Sequence, residues 1–135
     1  MADFAAHLDQ LSTVLAYVER RSEELGAAHD TALRAALIVE ELFVNSVRHG
    51  KAPADSLVRV VLEYDAGELE LAFEDEGLAF DPFSHLAEAT HHRPVQDRPV
   101  GGLGVVLIDG FALRREYARR EPRNCVRVWL AAREV

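Results

Sequence analysis

Apolar residues recur at spacings of three and four over residues 9–26, where Leu11, Leu15 and Val18 mark one face of a helix. Gly26 supplies a stop, because glycine accepts the left-handed backbone that ends many helices. A second helix is predicted from Asp30 or Thr31 to His49, ended by Gly50 and Pro53. Its apolar residues, from Leu33 and Leu37 through Ile38, Val39, Leu42, Phe43, Val44 and Val47, cover much of its circumference. Burial on several sides is therefore expected.

The period then changes to two. Residues 57–64 and 68–74 alternate apolar and polar positions, and Asp65-Ala66-Gly67 between them reads as a hairpin turn. Periodicity lapses over residues 82–99, which contain Pro82, Pro94 and Pro99 and read as a loop. A short helix is predicted over 103–111. Closing strands over 113–119 and 125–132 flank the polar turn Glu121-Pro122-Arg123-Asn124. Tight turns within each strand pair predict a mixed, mostly antiparallel sheet with helices on one face, an α+β two-layer sandwich. There is no internal repeat.

Composition narrows this further. A chain of 135 residues, 49% hydrophobic and 28% charged, suits one globular domain spanning 1–135. Its net charge of -8 repels phosphate backbones and anionic lipid, so neither direct nucleic-acid binding nor a membrane surface is expected. Cys125 is the only cysteine, which excludes an internal disulfide and a cysteine-built metal site, and it reads as a small buried residue on a strand. The first residues lack a basic segment followed by an apolar run. No stretch reaches the roughly 18 apolar residues of a membrane span, so a cytoplasmic location is the expectation.

Three local patterns carry chemistry. Glu41 and Asn45 lie four residues apart within an apolar helix, so both project from one face, which Arg48 and His49 extend. A solvated helix edge with Glu41 paired to Arg34 or Arg48 would explain the pattern. So would phosphoryl transfer, in which the carboxylate accepts a proton from an attacking hydroxyl and the amide oxygen ligates Mg²⁺. Asp75-Glu76-Gly77, at a strand end, places an acceptor where the exocyclic amine of adenine could donate, with a residue lacking a side chain two positions later. An ordinary acidic turn reads the same way. Gly101-Gly102-Leu103-Gly104 before an apolar run offers backbone N–H groups at a helix start, which suits phosphate, although a plain flexible loop has the same composition. It is not a Walker loop, because Lys51 is the only lysine in the chain, and no strand plainly precedes it as in a dinucleotide fingerprint.

Taken in this order, the acid-and-amide helix, the D-x-G turn and the glycine-rich loop resemble the Bergerat-fold ATPases, which include gyrase, histidine kinases and chaperone ATPases. Over residues 4–132 the chain is most similar to the small switch-protein serine kinases that act as anti-sigma factors. The matching residues are Glu41 to Asn45 with His49-Gly50, Asp75 and Gly77 with Phe80-Asp81-Pro82, and Gly101 to Gly104 with Leu107-Ile108. Tyr117 and Arg123-Asn124 fall where that family has a strand tyrosine and a hairpin-turn asparagine. The resemblance implies that Glu41 is the general base and Asn45 the Mg²⁺ ligand, while Asp75 holds adenine and Gly77 flanks it. Gly101, Gly102, Leu103 and Gly104 would bind the triphosphate, and residues 84–100 would form an ATP lid, in which Arg93 and Arg98 are candidates for contacting the γ-phosphate, although solvated loop charges read the same way. His85, His91 and His92 in that lid read as solvated rather than metal-binding. Departures from the pattern are Ala79 for a frequent proline, Leu113 for a frequent acid and Pro122 for a turn glycine.

The activity implied is ATP-dependent serine/threonine kinase chemistry on a STAS-type anti-sigma antagonist, alternating with capture of a sigma factor, by a homodimer with ATP and Mg²⁺ as cofactors. The competing class is a non-catalytic module that binds ATP and sequesters a partner; Glu41 favours catalysis, because binding needs no base. A detached histidine-kinase catalytic domain would need a phosphoacceptor histidine followed by an acid, whereas His7 is followed by Leu8. A eukaryotic-type kinase fold is excluded by length and by the missing lysine motif.

Overall fold

The computed structural model describes residues 1–49, 56–83, 108 and 110–133. Strand β1 (Ala2–Ala5) leads through a 3-10 turn at Leu8–Gln10 into helix α1 (Leu11–Glu24), and helix α2 (His29–His49) follows. Two hairpins complete the described chain: β2 (Leu57–Asp65) with β3 (Glu68–Glu76), and β4 (Arg114–Arg120) with β5 (Arg123–Ala131). The sheet order is β1-β2-β3-β5-β4, and every described pairing is antiparallel. This is the α+β two-layer arrangement that the hydrophobic pattern predicts.

Local chemistry sets the turns. Gly26 adopts φ 106° just after α1, where a side chain would be strained. Ala66 and Gly67 both take positive φ, at 50° and 82°, the geometry of a two-residue hairpin whose twist matches its strands. The N-terminus of α2 is tied to the far end of β5: the Thr31 hydroxyl donates to the Ala131 carbonyl at 3.0 Å, and the Ala28 N–H donates to Ala132 at 2.8 Å.

Strand alternation sorts the two sheet faces. Val58, Val60 and Leu62, Leu69, Leu71 and Phe73, and Val126, Val128 and Leu130 are buried and face the helices, where they meet Val14, Val18, Ile38, Val39 and Phe43. Each large side chain removed from water in this layer contributes about 1.5–3 kcal/mol. The opposite face is charged. Arg127 bridges Glu70 and Glu116, Arg59 pairs with Asp3 at 3.0 Å, and Trp129 packs against the guanidinium groups of Arg114 and Arg127. Cys125 is buried on this face beside Glu74; burial and that carboxylate raise its thiol pKa.

Two expectations are corrected. Strand β1 is an added edge, in register with β2 from Ala2 opposite Val60 to Ala5 opposite Leu57. Four residues are too few to show a period of two. Helix α2 is buried on several sides, as expected, by Ala35, Ile38, Val39, Leu42 and Phe43, while Leu33 and Leu37 remain 39% and 46% exposed. The second hairpin turns on Glu121 and Pro122 alone, so Arg123 and Asn124 belong to β5 rather than to the turn. Of the helix predicted over 103–111, Ile108, Gly110 and Phe111 are helical and Ile108 is buried, while the other positions lie outside the described residues. No helix among the described residues is long and apolar enough to cross a membrane.

Candidate functional site

Glu41 and Asn45 occupy successive turns of α2, and their side chains meet: Asn45 Nδ2 donates to Glu41 Oε1 at 3.4 Å. The Arg34 guanidinium lies over the Phe111 ring, 4.9 Å from its centroid. Glu41 is half-buried. Burial raises its carboxyl above the usual glutamate range; the Asn45 hydrogen bond opposes this shift, the neighbouring Glu40 adds to it, and Arg48 opposes it. The outcome is a carboxyl whose affinity for a proton is strengthened, as suits a general base.

Beside this pair, the second half of α2 and the end of the sheet enclose a recess. Leu42, Asn45 and Ser46 come from the helix, Phe73 and Asp75 from β3, Leu78, Phe80 and Pro82 from the segment after it, and Asn124 and Val126 from β5. Asp75 reaches this position because β3 alternates, with Leu69, Leu71 and Phe73 pointing inward before it. Apolar walls with a few polar groups at one end are the usual make-up of a small-molecule site. The donor set fits a flat heteroaromatic ring that offers an N–H to Asp75. It also fits a hard cation near Asn45, whose Nδ2 is committed to Glu41 and whose Oδ1 is the side chain's remaining ligand atom. No cluster of three or more metal-ligating residues occurs among the described residues, so any Mg²⁺ there would take further ligands from substrate and water.

The wall around Asp75 is built mainly by Asn124, which is 5% exposed. Its Nδ2 donates to Asp75 Oδ1 and to the Leu78 carbonyl, each at 2.9 Å. Its Oδ1 accepts from the Phe80 N–H at 3.1 Å and from the Tyr117 hydroxyl at 2.6 Å. Burial raises the Tyr117 phenol above its ordinary pKa. Arg119, also facing inward from β4, donates from Nη1 to the Gly77 carbonyl at 2.7 Å and is held by Glu121.

The sequence-predicted site residues therefore divide. Asn45 and Asp75 line one recess, and Glu41 stands one helical turn away. Gly77 lies in the segment leaving β3, its carbonyl held by Arg119. Gly101, Gly102, Leu103, Gly104, Arg98 and the lid at 84–100 lie outside the described residues. Sequence reasoning gave Asn124 no role and passed over Arg119 and Ser46. The signal for Asn124 was available: read as a strand, the run Asn124, Val126, Val128, Leu130 places a polar residue on the core side.

A family profile described as a histidine kinase-like ATPase domain matches residues 4–130, and the chain belongs to that family. Solved structures with similar folds include histidine kinases. The histidine kinase domain of the Erythrobacter litoralis EL346 blue-light activated histidine kinase has a TM-score of 0.57 at 17% identity, over 92% of this chain and 60% of that one. The mycobacterial sensor histidine kinase MprB gives 0.52 at 22% identity over 99% of each chain. The Acinetobacter baumannii histidine kinase AdeS gives 0.54 at 14% identity, over 98% of this chain and 68% of that one. This chain thus spans 60% of the Erythrobacter domain and 41% of the longer Erythrobacter structure. At these identities the likeness is one of fold. No curated protein sequence matches the chain.

Proposed function

We propose that this domain binds ATP with Mg²⁺ in the recess between α2 and the sheet and acts as a serine/threonine protein kinase. In this reading it is an anti-sigma regulatory factor. It phosphorylates a STAS-type antagonist and alternately holds a sigma factor, as a cytoplasmic homodimer. The observation that carries the reading is the Glu41–Asn45 pair on the edge of a recess that also contains Asp75. Binding alone needs no half-buried acid beside the ligand, and a strengthened proton acceptor is what hydroxyl attack requires. The profile match supports the nucleotide class, and the motif order supports the anti-sigma subgroup.

In this mechanism Asp75 accepts from the adenine amine while Leu42, Leu78, Phe80 and Val126 exclude water from the ring faces. Asn45 Oδ1 would hold Mg²⁺, and Glu41 would take the proton of the substrate hydroxyl. When bound, Mg²⁺–ATP supplies the phosphoryl group. Gly101, Gly102 and Gly104 would hold the triphosphate through backbone N–H groups. The test is transfer of labelled γ-phosphate to a serine-bearing antagonist by wild type and by Glu41→Gln. Transfer by wild type that survives the substitution removes Glu41 from its role. ATP binding with no transfer by wild type leaves the non-catalytic, partner-sequestering module.

A further inference from the structure

Strand β4 ends the sheet: among the described residues it pairs only with β5. An edge of this kind turns a backbone N–H and C=O outward at every second residue, a ready template for another strand. The charge along this edge is opposite to that of the molecule. Residues 114–127 hold six of the 15 lysines and arginines and two of the 23 acids, a net of +4. Nine bases and 21 acids remain elsewhere, a net of -12. Four of the arginines belong to β4 itself. Arg114 and Arg120 lie on its solvated face, and Arg115 and Arg119 on the face toward the helices. Arg114 is held by Glu68 and Arg119 by Glu121. Arg120 is exposed and forms no hydrogen bond or ion pair among the described residues.

We propose that the outer edge of β4 is a docking site for an acid-rich extended segment of another protein, which adds a strand to the sheet. Main-chain hydrogen bonds supply the affinity, and carboxylates beside Arg114 and Arg120 supply the selection. A second copy of this chain fits poorly. Two copies paired antiparallel about Tyr117 would set Arg114 opposite Arg120 and Arg115 opposite Arg119, like charges on both faces. The other edge, β1, brings Asp3 as its only acid, and the acid-rich β3 is already held between β2 and β5. Nucleic acid is disfavoured too, because the acids over the rest of the chain repel a phosphate backbone. The chemistry of this edge is independent of what the recess binds.

The experiment is fluorescence-anisotropy titration of the full chain with a labelled peptide of seven residues, the length of β4, alternating glutamate and valine. Its comparisons are the same peptide with lysine for glutamate, the glutamate peptide N-methylated throughout, and a single-stranded oligonucleotide. The glutamate peptide should bind about tenfold or more tightly than the lysine peptide. N-methylation keeps every charge and removes every backbone donor, and should weaken binding by about tenfold or more. Arg120→Glu should weaken it by about threefold or more. Amide hydrogen exchange should slow in residues 114–120 when the glutamate peptide is added. The peptide comparisons need no variant, so they decide the question if Arg120→Glu does not fold. Binding that survives N-methylation unchanged is charge attraction without strand addition and overturns the proposal. Equal affinity for the two charged peptides, no binding of the glutamate peptide, or tighter binding of the oligonucleotide overturns it as well. Affinity unchanged in folded Arg120→Glu, or protection at β1 instead of β4, moves the site elsewhere and has the same consequence.

Discussion

Arg119 on β4 places its Nη1 2.7 Å from the carbonyl oxygen of Gly77, tying the outer strand of the second hairpin to the segment that leaves β3. Glu121 grips the same guanidinium through Nε and Nη2, at 2.9 and 3.1 Å, and so fixes its direction. Glu121 itself is largely exposed, so the ion pair adds little stability, and its effect is on geometry.

Arg119→Met should therefore act on binding more than on folding. Freeing the Gly77 carbonyl is expected to weaken ATP affinity by about 0.5–1.5 kcal/mol, roughly two- to tenfold, with little change in melting temperature. Calorimetric titration beside a thermal melt measures both. An equal loss in the two would mean that the arginine is simply a fold contact.

Glu41→Gln is expected to separate activity from stability. Phosphoryl transfer should fall by about 10²- to 10⁴-fold, the usual contribution of a general base, while ATP affinity stays nearly constant. Because burial raises the folded-state pKa of Glu41 above its unfolded value, the native chain holds that proton more tightly. Stability is consequently lost as pH rises through the interval between the two values. Glutamine lacks that loss, so the variant should melt higher than wild type at pH 7 and level with it in acid. A lower melting temperature at pH 7 would contradict this account.

The same shift bears on rate. Transfer needs Glu41 ionised, so the acid limb of kcat/KM against pH, which reports the free enzyme, should fall above the usual glutamate range and vanish in Glu41→Gln. A wild-type limb at an ordinary glutamate pKa would point to a base other than Glu41.

Asp75→Asn keeps the shape of the recess wall and removes its charge-assisted acceptor. Affinity for ATP should drop by about 1.5–3 kcal/mol, some ten- to hundredfold, and the loss should appear in the binding constant before it appears in the transfer rate at saturation. Unchanged affinity would move the base-reading site elsewhere.

The two sides of α2 and the sheet invite a paired test of packing. Leu71 is fully buried on β3, and Leu71→Ala should cost about 2–5 kcal/mol in denaturant unfolding. Leu37 is 46% exposed, and Leu37→Ala should change stability by less than about 0.5 kcal/mol. A large loss at Leu37 would show that this face is covered in solution.

Much of the architecture was legible from periodicity because one sheet face is solvated. The alternation that buries Val58, Val60, Leu62, Leu69, Leu71 and Phe73 is a local property of each strand. Strand β1 was not legible, since its place depends on β2 lying ready to pair with it. The apolar stripe of α2 correctly foretold burial on several sides, but composition gives the width of such a stripe and not which neighbours arrive to cover it. Leu33 and Leu37 stayed outside.

The candidate site divides along the same line. Residue chemistry and spacing alone determined that an acid and an amide share one helical face at Glu41 and Asn45, and that an acid ends a strand at Asp75. Tertiary structure decided that Asn45 and Asp75 border one recess, with Glu41 bonded to Asn45 at its edge, and that Asn124, 49 residues beyond Asp75, donates to its carboxylate. The reason is physical: helix and strand periods act over a few residues, whereas the pairing of β3 with β5 brings together groups whose separation along the chain carries no local signal.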